Sequence, residues 1–199
     1  MKKIILTVAA VFALTFANAQ DKKESSEGFS KGDLYLSGTA GFSTEKTGDA
    51  KGNTLTLSPG LGYFLTENLA LEGNLNITSG TTNAGGGASD VKTTGFGIAA
   101  GVKYFWTPAS KFSLSLGGMV SYNSTKNDNG FSSSTGKTIG LNVPVGLNYF
   151  VSSNFALTST WGGLGYSSND NGGNGADKTD KISLGLDMSS IKFGLLYKL

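Results

Sequence analysis

The strongest constraint on this chain is a motif it repeats. Tyr63-Phe64, Tyr104-Phe105 and Tyr149-Phe150 each close a Gly-rich segment of alternating apolar and polar residues, and Tyr197 stands at the matching place near the C-terminus. The tyrosines are 41, 45 and 48 residues apart, the length of one β-hairpin with its connection. Three of the four are followed by a short polar turn (Thr66 to Asn68, Thr107 to Ser110, Ser152 to Asn154) and then a fresh apolar start at Leu69, Phe112 or Phe155. A hairpin repeat with an aromatic at the same end of every second strand predicts a closed antiparallel barrel in a membrane.

Period-two alternation from Gly32 onward supplies the strands. One face carries Leu34, Leu36, Gly38, Ala40 and Phe42, then Leu55 to Tyr63, Leu69 to Ile77, Phe96 to Tyr104, Phe112 to Tyr122 and Ile139 to Tyr149, each at every second residue. The seventh strand begins at Phe155 and Leu157 and loses its pattern at Gly162-Gly163. The eighth carries Ile182 and Leu184, then changes parity to Phe193, Leu195 and Tyr197. A β-bulge at Asp187 to Ser190 accounts for that change; a tight hairpin making a ninth strand is the alternative. Connections alternate in length. Long Gly/Asn/Ser/Asp loops are expected over Thr44 to Asn53, Ser79 to Asp90, Ser124 to Gly136 and Ser167 to Asp180. The expected fold is therefore all-β: an eight-stranded antiparallel up-and-down transmembrane barrel over residues 32–199, with the short turns periplasmic and the long loops outside.

Alternation alone also fits a soluble barrel of lipocalin type, with its apolar face inside. The polar face argues against it. That face is Gly, Ser, Thr and Asn with few charges, whereas a surface in water carries abundant Lys and Glu. Small residues suit the cramped interior of an eight-stranded barrel. Tyr63, Tyr104, Tyr149 and Tyr197 share the apolar face at the short-turn end, where an amphipathic ring meets the headgroups, so they are read as a periplasmic-side aromatic girdle.

The chain's ends and its charge fit export. Lys2 and Lys3, the apolar run Ile4 to Phe16 and Ala17-Asn18-Ala19 make residues 1–19 a signal peptide, too short for a membrane-spanning helix. Residues 20–31 are charged and Ser-rich, and read as a flexible periplasmic lead-in. Removing Lys2 and Lys3 from 16 basic residues, all Lys, leaves 14 against 14 Asp plus Glu. Scattered Lys without any Arg gives no nucleic-acid footprint. Zero Cys excludes a disulfide framework.

Few charges fall on the inner face, and these are the candidate site. Glu72 and Lys103 lie on adjacent strands near the periplasmic end, and Asp187 and Lys192 lie on strand eight. Interior ion pairs are expected, because an unpaired buried charge is costly; the alternative is that the Lys residues reach to the rim. Catalytic chemistry has little to work with. His is absent, which removes the usual base for activating a nucleophile or water, and no Ser-Lys dyad stands in a recognisable motif. Gly172-Gly173-Asn174-Gly175-Ala176-Asp177 begins like a calcium-binding nonapeptide repeat, but Thr179 occupies the position of its large apolar residue and there is a single copy. No catalytic, cofactor or metal residue is assigned.

The Ala-x-Ala-Gln leader end, the Gly-x-x-Tyr-Phe strand ends, the Leu65-Thr66-Glu67-Asn68-Leu69-Ala70-Leu71 turn and the terminus Ile191-Lys192-Phe193-Gly194-Leu195-Leu196-Tyr197-Lys198-Leu199 resemble small outer-membrane β-barrel domain proteins of Bacteroidetes-type bacteria, similar in plan to the OmpX and OmpA barrels. The resemblance implies residence in the outer membrane, with outer-membrane lipid and the barrel-assembly machinery as partners. It is specific for architecture rather than activity. The family's last residue is commonly Phe, the end recognised for assembly. Here it is Leu199, and Tyr197 and Phe193 stand in as candidates. The function expected is a structural or surface-interaction barrel acting through four long extracellular loops. The alternatives are a narrow pore or small-solute transporter, or a soluble periplasmic binding barrel.

Overall fold

The structure, a computed structural model, describes residues 28–199 apart from 88, 173–174 and 186–191, and excludes the side chains at 161 and 162. Its strands are β1 (Leu34–Thr47), β2 (Ala50–Phe64), β3 (Leu69–Asn83), β4 (Val91–Trp106), β5 (Phe112–Asp128), β6 (Ser133–Phe150), β7 (Phe155–Asn169), β8 (Thr179–Gly185) and β9 (Lys192–Lys198). Each of β1 to β7 pairs antiparallel with the next in sequence. The sheet closes at the turn end because β9 bonds to both β7 and β1; beyond Thr39, Ala40 to Thr47 of β1 pair with β2 alone among the described residues, and β8 pairs with β7 alone.

β8 and β9 are two lengths of one stave. Both run antiparallel to β7, β8 against Gly163 to Asn169 and β9 against Phe155 to Thr160. The barrel thus has eight staves, and the chain enters and leaves 186–191 running the same way. The bulge expected at Asp187 to Ser190 lies outside the described residues. A bulge the sequence reading did not place is visible next door. On β7, Val145 faces Trp161 while Pro144 faces Gly163, so one residue is left over and the register shifts. Gly163 adopts φ +114°, a conformation other residues rarely adopt. Pro144, which has no N–H to give the ladder, sits at the irregularity. The bulge reverses the facing of β7: Leu157 points outward below it, and Leu164 and Tyr166 above it.

The sidedness follows the alternation. Leu71, Ile98, Val102, Leu114, Val120, Leu141 and Leu195 are all exposed on the outer wall, while Tyr35, Glu72, Ser113, Ser115, Met119 and Asn148 are buried inside. The apolar surface therefore faces away from the barrel axis, opposite to a soluble binding barrel. Inward glycines make room for neighbours: a Cβ at Gly62 would collide with the Tyr35 ring.

The expected long loops are corrected. β1 and β2 pair up to Thr47 and Ala50, leaving a turn of Gly48 and Asp49. β5 and β6 pair up to Asp128 and Ser133. Residues 129–132 join β5 to β6, and the described residues of 84–90 and 170–178 also lie outside the strands at that end. The apolar alternation stops where these hairpins leave the apolar band, but the backbone ladder does not need it. Thr and Ser are compatible with strands, and cross-strand polar bonds take over, such as Thr93 Oγ1 to Asn127 Oδ1 at 2.8 Å and Asn169 Nδ2 to Thr138 Oγ1 at 2.9 Å.

Candidate functional site

The repeated strand ends build the site. At each Tyr the side chain points out, and the next residue therefore points in. The N–H groups of Phe64, Phe105, Phe150 and Lys198 donate to the carbonyls of Asp33, Asn68, Lys111 and Asn154 at 2.9, 2.7, 2.8 and 2.7 Å. The fourfold repeat is thus literal in backbone bonding, with Lys198 in the place of a fourth Phe. The turns repeat as well. Thr66 Oγ1 accepts the Leu69 N–H at 3.0 Å and Ser152 Oγ accepts the Phe155 N–H at 3.2 Å. Asn68 Nδ2 and Asn154 Nδ2 reach across to the carbonyls of Phe105 and Lys198.

Phe64, Phe105 and Phe150 are fully buried and line the mouth of the barrel at the turn end. Phe29 fills the space between them. Its ring centroid lies 4.6 Å from Phe64, 4.9 Å from Phe150, and 5.3 Å from both Phe105 and Tyr35. These are favourable separations for aromatic pairs, each contributing about 0.5–1.5 kcal/mol beyond burial. The Phe29 N–H donates to the Pro108 carbonyl at 2.7 Å. Gly28 lies so close to this turn that a Cβ would come within 2.5 Å of Pro108 and Ala109 backbone atoms. Lys198 Nζ donates to the Gly28 carbonyl at 2.7 Å, lies 3.8 Å from Asp33 Oδ2 and sits 5.7 Å above the Phe150 ring. Gly28 and Phe29, within the stretch expected as a flexible lead-in, are therefore packed into the mouth, while residues 30–32 are exposed.

Above the plug lies the polar cluster. Glu72, 6 % exposed, receives Lys103 Nζ at 2.6 Å. The Tyr35 hydroxyl donates to Oε2 at 2.7 Å, and Asn74 Nδ2 donates to Oε1 at 3.1 Å. Each carboxylate oxygen thus has a partner, the condition under which a buried charge is tolerated. Lys103 Nζ is also 6.0 Å from the Phe105 centroid, tying the cluster to the plug. The other two candidates do not join. Lys192 is exposed on β9, and Asp187 lies outside the described residues.

Tyr63, Tyr104 and Tyr149 lie outward at the turn end, 45, 44 and 44 % exposed, and Tyr197 is half-buried there. Trp106 packs edge-on to Tyr104, and Lys111 lies over Tyr149. Sequence reasoning found the Tyr row and missed the Phe row one residue on, although the parity rule that sends Tyr out sends Phe in.

At the other end, Asp170 Oδ1 accepts the N–H of Lys137 at 2.7 Å and of Gly172 at 3.1 Å. The Lys137 N–H foremost holds this carboxyl below its usual range. Its oxygen is thus occupied by backbone, and part of the calcium-like motif, 173–174, lies outside the described residues. Among the described residues no group of three or more His, Cys, Asp or Glu could hold a metal.

A family model for an outer membrane protein beta-barrel domain matches residues 6–189. Comparison with curated proteins finds no match. Among solved structures, the chain is similar to neisserial surface protein A, 20 % identical over 83 % of this chain and 97 % of that one, with a TM-score of 0.51. It also resembles the N-terminal barrel domain of OprF from Pseudomonas aeruginosa (11 % identity, 86 and 100 % covered, TM-score 0.49). OprG from the same organism is 15 % identical, with 87 and 98 % covered and a TM-score of 0.46.

Proposed function

Because the chain belongs to the outer membrane protein beta-barrel domain family, we propose that it serves there as a structural and surface-interaction barrel, without catalysis and without a conducting lumen. Residence in the outer membrane removes the soluble periplasmic alternative, in keeping with the outward apolar wall. The observation that carries the proposal is the filled mouth. Phe29 occupies the space between Phe64, Phe105 and Phe150, and Glu72, held by Lys103 and Tyr35, lies inside the barrel behind it. Eight-stave barrels have interiors that side chains can fill, and here they do so with aromatic rings and a bonded ion pair.

The contact surface lies at the opposite end. The short turns sit on the periplasmic side and the extended hairpins outside, as in bacterial barrels of this plan. The β5–β6 hairpin ends in Phe131, 90 % exposed. Its turn is fixed by Asn129 Oδ1, which accepts the N–H groups of Phe131 and Ser132. A held aromatic at a hairpin tip is suited to anchor a partner.

Planar-bilayer recording tests the non-conducting reading. The purified barrel is expected to give no discrete current steps. Steps abolished by no change other than withdrawal of the protein would replace this reading with the pore.

A further inference from the structure

Counted around the ring at the turn end, the staves run β1 to β7 and then β9. Phe64, Phe105, Phe150 and Lys198 lie at the ends of the second, fourth, sixth and eighth. The Phe29 ring centroid is within 5.3 Å of those of all three Phe, and the Gly28 carbonyl accepts from Lys198 Nζ. One ring reaches three evenly spaced staves only from the barrel axis. The chain gets there by crossing the mouth. The Phe29 N–H is bonded at Pro108, in the β4–β5 turn, and the chain then runs to Leu34 of β1, on the opposite side of the ring. On the way the Ser30 N–H donates to Asp33 Oδ2 at 2.8 Å, and the Gly32 N–H to the Phe64 carbonyl at 2.9 Å. Residues 28–33 are thus a strap across the mouth with one ring pointing into the bore.

The closure is confined to this end. Beside the strap, the inner-wall residues Ser113, Ser115 and Asn148 are no more than 3 % exposed. Farther along the inner face, past Glu72, the inward Asn76, Thr78, Ser121 and Asn123 are half-buried. Inside a barrel, partial exposure means that solvent reaches these short polar side chains from the loop end. Glu72 and Lys103 stand between the two levels and are themselves polar. The part that excludes water is the cluster of rings centred on Phe29.

We propose that the strap is a removable stopper: with Phe29 withdrawn from the bore, the barrel passes small hydrophilic solutes through its polar lumen. The proposal rests on the closed barrel argued above and adds what shuts it. The strap is built as a part that can move. It is held by side-chain and turn contacts rather than by a β-ladder, and residues 30–32 are exposed, features of segments that open at low cost. Phe64, Phe105 and Phe150 are positioned by their own backbone bonds to Asp33, Asn68 and Lys111, so the wall does not depend on the ring it surrounds.

Two measurements on the full chain, folded in lipid and checked by heat-modifiable gel mobility, test it. In planar bilayers the wild type is expected to be silent and Phe29→Ala to give discrete current steps. The chain has no Cys, so one introduced thiol reports access by a charged, membrane-impermeant reagent. In the wild-type background Ser115→Cys is expected to be protected and Ser121→Cys to react. Adding Phe29→Ala is expected to speed labelling at 115 at least tenfold and to leave 121 unchanged. A folded Phe29→Ala barrel that stays silent overturns the stopper, whatever happens at 115, and leaves the closed reading standing. Steps with 115 still protected place the leak outside the bore and overturn it too, as does labelling of 115, or none at 121, in the wild-type background. Steps in the wild type overturn the closed reading, and steps equal in both proteins overturn the stopper with it.

Discussion

At the residue scale, position 198 shows how much one substitution within a repeat can do. The same backbone bond that positions Phe64, Phe105 and Phe150 positions Lys198, but the amine reaches the Gly28 carbonyl and Asp33 where a ring would stack. The last stave thereby holds the segment that precedes the first. Phe29 is the other half of this contact. Removing a fully buried ring costs about 3–5 kcal/mol, so Phe29→Ala is expected to lower unfolding stability in denaturant by about 3 kcal/mol. A loss below about 1 kcal/mol would mean the ring is not packed as described. The Glu72–Lys103 pair gives a second prediction. Removing one partner leaves the other buried and unpaired, at a cost of about 3–5 kcal/mol. Glu72→Gln and Lys103→Met are each expected to lower the midpoint of unfolding, and the double variant to fall less than the sum. Unchanged midpoints in both single variants would dismiss the pair as a stabilising contact.

Elements show where pattern reading succeeds and where it stops. The strands inside the apolar band were legible because facing alternates between two solvents, so every second residue reports its side. Above the band both faces meet water, and Thr, Ser and Asn no longer reveal whether the backbone is paired. The hairpin extensions of Thr44 to Thr47 with Ala50 to Asn53, and Ser124 to Asp128 with Ser133 to Gly136, accordingly look like loop in the sequence and are ladder in the structure. The blurred pattern at Gly162-Gly163 is a true signal, since the register shifts there and β7 carries one extra residue. Hydrogen exchange separates ladder from loop. Amides of Ser124 to Asp128 and Ser133 to Lys137 that bond across the hairpin are expected to exchange at least tenfold more slowly than the same amides in the unfolded chain. Equal rates would restore the loop reading.

On the scale of the whole molecule, the architecture follows from closure. A membrane-spanning strand has no water to satisfy its backbone, so each stave must bond to two others, and the β9 ladders to β1 and β7 complete the ring at the turn end. The same closure leaves a narrow interior lined by small inward residues, with the Glu72–Lys103 pair and the four-ring plug at the turn end. The fold and its membrane side were readable from composition on alternate positions, and the Glu72–Lys103 proximity from strand adjacency. The plug was not, because Phe29 is a single apolar residue in a polar stretch and its partners are supplied only when the barrel closes. Gel mobility of the outer-membrane fraction, unboiled against boiled, tests that closure most directly. A fast band that slows on boiling is the result predicted for a stable closed barrel. A single mobility, with the protein recovered in the soluble periplasmic fraction, would contradict it.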